Sequence, residues 1–133
     1  MIKFKRQNEL TREELVAKNL ATHMNNEFFT KAEYIVHMNN VYIHLSNNKI
    51  NLVYTVCNTD YGKRIKIEDV LVKHEYRNKG YGTKIIKAFI AYVRKHNCIT
   101  GLWCELDNDR LFNYYTRLGF NHITTRNDKW LEY

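Results

Sequence analysis

Two apolar patterns of different period flank a glycine-containing segment in the middle of the chain. Before this segment, the run Ile65–Val72 is rich in β-branched residues, which favour an extended strand. After it, apolar side chains recur at helical spacing and so form one face of a helix: Ile85, Ile86, Phe89, Ile90 and Val93. The pattern therefore predicts a strand, a loop and an amphipathic helix, in that order.

The rest of the chain divides into further short elements by the same criteria. Thr11-Arg-Glu-Glu14 has the pattern of a capping box, and it predicts a helix that continues to about Asn25. Apolar runs and turn residues predict the remaining elements, in chain order: a strand at Ile2–Arg6, a shorter second helix at Glu27–His37, a hairpin of Val41–Leu45 and Ile50–Cys57, a strand at Ile99–Leu106, a helix at Asn108–Leu118, and a closing hairpin of Asn121–Thr125 and Lys129–Tyr133.

The order of these elements predicts an α/β fold built on a mixed (α+β) sheet. The central strand–helix–strand unit requires a parallel pair, whereas strands joined by short turns must run antiparallel. We therefore expect one mixed sheet flanked by helices on both faces. A chain of 133 residues is long enough to bury its own core, so residues 1–133 are expected to form a single domain.

The composition narrows the class of protein. Hydrophobic residues make up 44% and charged residues 26%, which is ordinary for a globular domain. No apolar run is as long as a membrane span and no leader opens the chain, so we expect a cytoplasmic protein that binds no membrane. Cys57, Cys98 and Cys104 are odd in number and lack metal-type spacing with histidine. We therefore expect reduced, mostly buried thiols and no metal site.

The loop after Val72 combines glycine with positive charge. Gly80 and Gly82 allow backbone N–H groups to converge and a ligand to approach closely. The start of the following helix adds unpaired donors and the positive end of the helix dipole. Within a chain of net charge +7, basic residues are concentrated here: Lys73, His74, Arg77, Lys79, Lys84 and Lys87. An ordinary glycine turn is the alternative, but the combination favours an anion site that suits a pyrophosphate.

Two segments of the chain have residues at the spacing of a known sequence motif: Arg77-Asn-Lys-Gly-Tyr-Gly82 and Asn108-Asp-Arg-Leu-Phe-Asn-Tyr-Tyr-Thr-Arg-Leu-Gly-Phe120. In this order and at this separation, they resemble the acyl-CoA signature of the GNAT superfamily of N-acetyltransferases, from about Ile65 to Phe120. The resemblance implies acetyl-CoA as the donor and a sheet whose two central parallel strands splay apart to admit the pantetheine arm. It implies these coenzyme-binding residues: Leu71, Val72, Arg77, Asn78, Lys79, Gly80, Tyr81, Gly82, Thr83 and Asn108.

Acetyl transfer from a thioester to an amine needs proton transfers but no metal and no protein nucleophile. Tyr115 matches the helix tyrosine of the family and is the candidate acid for the leaving thiolate. It also shares a helix face with Leu111 and Phe112, so a purely structural role in the core is the alternative. Asn108 matches the coenzyme-contacting asparagine of the family, and it would cap its helix as well.

Two carboxylates are candidates for the base that takes the amine proton. Glu68 lies on the strand before the loop, and Glu105 lies on the following strand. We favour Glu68, acting through a water molecule. Strict alternation would send Glu68 and Asp69 to opposite faces, so both would face the cleft only if a β-bulge interrupted the strand.

The acceptor is expected to be a primary amine of a small molecule or a peptide. A non-catalytic acyl-CoA-binding module is the alternative, and it would need neither Tyr115 nor a carboxylate. No helix carries a clustered basic face, so no nucleic-acid partner is expected. The terminal strand around Trp130, Leu131 and Tyr133 could pair with a second copy of the chain and form a homodimer.

Overall fold

The computed structural model of the protein describes residues 10–38, 40–105, 108–123 and 129–133, so the strand predicted at Ile2–Arg6 lies outside the described residues. Its elements are α1 (Arg12–Glu27), β1 (Lys31–His37), β2 (Asn40–Ser46), β3 (Ile50–Thr59), β4 (Gly62–Val72), α2 (Tyr81–Lys95), β5 (Thr100–Cys104), α3 (Asp109–Leu118), β6 (Asn121–His122) and β7 (Lys129–Glu132). A short 3₁₀ turn, His74–Tyr76, follows β4. None of the described helices is long and apolar enough to cross a membrane.

All seven described strands belong to one mixed sheet, in the order β1-β2-β3-β4-β5-β7-β6. β4 and β5 are parallel, and every other neighbouring pair is antiparallel. The single parallel pair lies on either side of α2, because a crossover through a helix returns the chain to the same end of the sheet. The predicted mixed sheet is therefore confirmed, as are the hairpin of β2 with β3 and the capping of α1 by Thr11.

The first strand corrects the prediction of a second helix at Glu27–His37. β1 pairs with β2 over its full length, from Lys31 opposite Ser46 to His37 opposite Asn40. The segment contains the β-branched pair Ile35 and Val36, which fits a pleated surface. Pairing with a strand further along the chain satisfies its backbone groups, and this outweighs a weak local preference for helix.

The described helices pack on one face of the sheet, whereas we predicted helices on both faces. Tyr54 of β3 contacts two of them: its hydroxyl donates to the carbonyl of Ala17 in α1 at 2.8 Å, and its ring centroid lies 5.0 Å from that of Phe89 in α2. The strand registers place Lys129 of β7 on the same face. There its ammonium lies 3.0 Å from Asp109 in α3. The opposite face carries no helix in the described part of the chain.

The position of β7 removes the basis for the predicted homodimer. This strand lies between β5 and β6, so it is an inner strand of the described sheet. Trp130 is 2% exposed and Leu131 is fully buried. The N–H of Ile123 donates to the carbonyl of Trp130 at 3.1 Å, which extends the contact beyond β6. A second copy of the chain therefore finds no free strand edge at β7.

The parallel pair of β4 and β5 depends on close packing at Gly101. A Cβ atom added there would lie 2.2 Å from Cζ2 of Trp130. The indole cannot readily shift, because its N–H donates to Glu132 at 2.7 Å, and Glu132 in turn accepts from Arg64 at 2.8 Å. Only glycine fits beneath this ring.

We expect Gly101→Ala to lower the free energy of unfolding by about 1–3 kcal/mol, the usual cost of overpacking a core. Denaturant titration of the purified variant would measure the loss. Gly82→Ala is the matched control, since a Cβ atom at Gly82 would lie 3.4 Å from Cγ2 of Val72, an ordinary contact. Equal stability of the Gly101→Ala variant and the unmodified chain would contradict this account of the packing.

Candidate active site

The sheet opens between its two parallel strands. Only two residue pairs join β4 to β5, Ile65 with Thr100 and Lys66 with Gly101. β4 continues to Val72 beyond the last pair, and there its gap-facing peptide groups have no partner on β5. The carbonyl of Val72 instead accepts from Nε of Arg77 at 2.8 Å. The structure thus contains a gap of the kind that the resemblance implied.

The loop that follows β4 presents a row of free backbone donors. Asn78 and Gly80 have positive φ angles of 62° and 81°, which turn the chain into the start of α2. The N–H groups of residues 78–83 have no acceptor among the described residues, and the first amide bonded within the helix is that of Lys84, to the carbonyl of Gly80 at 3.0 Å. Converging amides at the positive end of a helix form an anion site.

A groove of about 730 Å³ runs from the gap across this loop to α3. Of the predicted coenzyme residues, only Lys79 does not line it. Leu71 contributes a side chain that is 48% exposed, and Asn108 begins the far wall. The structure adds residues that sequence reasoning missed, and most of them lie on α3: Val70, Tyr76, Arg110, Leu111, Tyr114 and Arg117.

The loop is attached to both neighbouring elements. On one side, Nζ of Lys49 from the β2–β3 turn donates to the hydroxyl of Tyr81 at 3.1 Å, and this hydrogen bond lowers the pKa of the tyrosine. On the other side, the hydroxyls of Thr83 and Tyr114 lie 2.6 Å apart, which joins α2 to α3. Side-chain contacts on both sides therefore hold the N-terminus of α2 in place.

Tyr115 is a buried aromatic residue of α3. The residue is 5% exposed, and its ring lies between those of Tyr114 and Phe120, with centroids 5.1 and 5.4 Å away. Its hydroxyl makes no hydrogen bond to the described residues. Burial, more than the nearby negative charge of Asp69, raises the pKa of Tyr115 well above its ordinary value. The hydroxyl therefore keeps its proton at neutral pH, as a general acid must.

A β-bulge interrupts β4 at Glu68. Two consecutive residues of β3 face three residues of β4, Ile67–Asp69, and Glu68 is the one without an opposite residue. This is the interruption that the sequence analysis required for both carboxylates to share a face. Glu68 lies beside Lys66, with an Oε1–Nζ distance of 2.9 Å.

The bulge places both carboxylates on the face that carries no described helix. Lys66 is opposite Thr55 and Asp69 is opposite Val53, and these two β3 residues point to the same side. Glu68 is held in an ion pair with Lys66, whereas Asp69 is exposed and has no hydrogen bond or ion pair to the described residues. Asp69 is thus the free carboxylate beside the gap, and the sequence had not identified it as a candidate base.

The other strand of the gap contributes Trp103 to the same face. It follows Gly101 by two residues, and Gly101 is opposite Lys66. Trp103 is 48% exposed, with its ring centroid 5.1 Å from that of buried Trp130. The sequence alone could not show whether Trp103 is exposed or part of the core. Glu105, the other predicted base, is exposed just after β5, and no described contact brings it to Tyr115.

The cysteines match their prediction. All three are free, Cys98 and Cys104 are buried, and Cys57 is partly buried. Burial raises the pKa of each thiol, which disfavours a nucleophilic thiolate. Among the residues with described positions, no group of three or more His, Cys, Asp or Glu side chains could hold a metal ion.

A mixed sheet that opens between two parallel strands, beside an amide-lined helix start, is the architecture of acyl-CoA-dependent N-acyltransferases. The acetyltransferase (GNAT) family model matches residues 42–120, which is more than half of the chain. The chain therefore belongs to the GNAT family of acetyltransferases, and the resemblance identified from its motifs is confirmed.

Individual relatives agree with this family. The chain is 32% identical over 83 residues to thialysine N-epsilon-acetyltransferase of Mus musculus, a match that covers 62% of this chain and 48% of the mouse protein. For the Bos taurus enzyme of the same name, the identity is 36% over 74 residues, covering 55% of this chain and 44% of the bovine protein. The matches thus span about half the length of these curated relatives.

A solved structure supports the fold. Arabidopsis thaliana Naa50 in complex with the bisubstrate analogue CoA-Ac-MVNAL superposes with a TM-score of 0.52 at 14% identity. The alignment covers 98% of this chain and 94% of the Naa50 chain. At this identity the likeness concerns the fold alone, and it confirms the predicted GNAT architecture.

We expect Gly82→Leu to reduce coenzyme A affinity at least tenfold while the chain stays folded, because the added side chain would fill the groove beside the free amides. Isothermal titration calorimetry would measure the affinity, and thermal unfolding would check the fold. Ala91→Leu adds similar bulk to an exposed position of α2 outside this groove, and it serves as the control. Undiminished affinity in Gly82→Leu would place the coenzyme elsewhere.

Proposed function

We propose that this chain is an N-acetyltransferase that transfers an acetyl group from acetyl-CoA to a primary amine of a small molecule or peptide. The observation that carries this proposal is the row of N–H groups from residues 78–83, which have no described acceptor and stand beside the gap between β4 and β5. A diphosphate on these amides would bring the attached pantetheine arm to the gap. The thioester would then lie between the two parallel strands.

The acceptor would approach from the face without described helices. Glu68, Asp69 and Trp103 stand there on the two sides of the gap. Carboxylates attract a protonated amine, and an exposed indole offers an aromatic surface to its alkyl or cationic part. The relatives in mouse and cattle are named for acetylating an ε-amine, which supports a side-chain or small-molecule amine as the acceptor class.

The reaction would proceed by direct attack in a ternary complex. The amine nitrogen attacks the thioester carbonyl, the C–N bond forms and the C–S bond breaks. The amine proton passes to a carboxylate of β4 through water, and Tyr115 gives its proton to the departing thiolate. Burial raises the pKa of Tyr115, so its hydroxyl is protonated at neutral pH and has a proton to give.

A panel of amines, assayed for coenzyme A release from acetyl-CoA, would test this function directly. Aminosugars, polyamines, amino acids including thialysine, and peptides would be compared in parallel. Amine-dependent release would support the proposal. A chain that binds acetyl-CoA and releases no coenzyme A with any of these amines would instead match the alternative of a non-catalytic acyl-CoA-binding module.

We expect Tyr115→Phe to lower kcat by roughly 10²–10⁴-fold, the usual range for loss of a general acid or base. Acetyl-CoA affinity should change little, because the phenyl ring keeps the packing against Phe120. The raised pKa means that Tyr115 keeps its proton until the pH rises well beyond 10, so its ionisation should not limit kcat below that pH. Tyr92→Phe, on α2, is the control. Unchanged kcat in Tyr115→Phe would assign this tyrosine to the core alone.

We expect Asp69→Asn to reduce kcat/KM more than Glu68→Gln does, because Lys66 already neutralises Glu68 and the charge of Asp69 acts on Tyr115. A pH–rate profile should show its acidic limb altered mainly in the Asp69 variant. Glu33→Gln, which removes a carboxylate paired with Lys31 on β1, is the control. If both β4 variants kept full activity, neither carboxylate would be the base. Solvent or the acceptor itself would then take the amine proton.

A further inference from the structure

We propose that Arg110 and Arg117 of α3 form a subsite for the 3′-phosphate of coenzyme A, on the far wall of the donor groove. This inference rests on the proposed function, because it assigns one part of the donor to a surface outside the loop motif. The ligand class is a phosphate monoester attached to the adenosine end of an acyl-CoA.

The subsite is a stripe of α3. Arg110, Tyr114 and Arg117 follow one another at i, i+4 and i+7, so they share one helix face. All three line the groove opposite the loop of residues 78–83. At 1.5 Å rise per residue, the two arginines start about 10 Å apart, and their long side chains can converge over the tyrosine between them.

Both guanidinium groups are available for a ligand. Arg110 and Arg117 are exposed, and neither has a hydrogen bond or ion pair within the described part of the chain. The third arginine of the groove, Arg77, already donates from Nε to the carbonyl of Val72. Lys49 donates to Tyr81 and does not line the groove. The unengaged guanidinium groups of the groove wall therefore lie on α3.

Arg110 lies at a position where its positive charge does not stabilise α3. It lies in the first turn of α3, next to Asp109, where the positive end of the helix dipole disfavours a cation. A cation kept there and turned to the groove is explained by attraction to an anion. An arginine also matches a phosphate monoester well, since two parallel N–H groups can meet two of its oxygens.

Tyr114, the middle residue of this stripe, contacts the loop whose amides would bind the diphosphate. The hydroxyl of Tyr114 lies 2.6 Å from that of Thr83, whose own N–H belongs to the free row. In coenzyme A, the 3′-phosphate and the diphosphate are separated by a single ribose. A coenzyme with its diphosphate on residues 78–83 therefore has its 3′-phosphate within reach of the helix that carries Tyr114.

Titration calorimetry with two probes, coenzyme A and 3′-dephospho-coenzyme A, tests this subsite, because the probes differ only in the phosphate monoester. We expect the unmodified chain to prefer coenzyme A by about tenfold or more, the usual scale for charge-assisted hydrogen bonds. In the double variant Arg110→Gln/Arg117→Gln, the ratio should fall towards one through loss of coenzyme A affinity alone. Each single variant should keep part of the preference.

Arg94→Gln/Lys95→Gln is the matched control. It also removes two positive charges, but these residues lie in the last turn of α2 and do not line the donor groove, so it should keep the full preference. Equal binding of both probes to the unmodified chain would overturn the subsite while leaving the proposed function intact. A preference retained in the arginine double variant would also overturn it. If neither probe bound the unmodified chain, the proposed function would be overturned together with the subsite.

Discussion

The short ladder between β4 and β5 is the constraint on which the rest of the site depends. The two strands are joined at one end, where the N–H of Ile65 donates to the carbonyl of Ile99 at 2.9 Å and the hydroxyl of Thr100 donates to the carbonyl of Ile65 at 2.9 Å. Thr100 is fully buried, and its carbonyl accepts from the N–H of Tyr133 at 3.1 Å. Because this end is fixed in the core and the other end carries no ladder, the gap is part of the folded sheet. No strand has to separate to admit a ligand.

The far wall of the groove is formed by α3. Aromatic contacts hold this helix in place. Tyr115 packs on Phe120, which in turn packs on Tyr133, with centroids 5.4 Å apart in each case. Gly119 makes this packing possible, because its φ of 111° ends the helix and a Cβ atom there would lie 2.8 Å from Tyr133. The same contacts that bury the ring of Tyr115 therefore fix where the groove face of the helix points.

The parts of the structure that could be predicted from the sequence are those with a local signal. The period of α2, the cap at Thr11 and the glycine loop are each set by neighbouring residues, so the strand–loop–helix unit was predicted correctly. The segment Lys31–His37 was mistaken for helix because its pairing partner lies further along the chain. The bulge at Glu68 is a property of the register between two strands, and no single strand reveals it. The exposure of Trp103 depends in the same way on what covers the sheet.

The two sides of the gap differ in charge, which suits the binding of a polyanionic donor on one side and a cationic acceptor on the other. The donor loop and α3 present guanidinium groups and free amides, whereas the face without described helices presents Glu68 and Asp69. At physiological ionic strength, charges are screened over about 8 Å, so each local group acts largely on what lies beside it. The net charge of +7 therefore does not decide what binds at the carboxylates. In the proposed reaction, a polyanionic donor and a protonated amine would each be attracted to a different side of the same strand, and they would meet only at the gap.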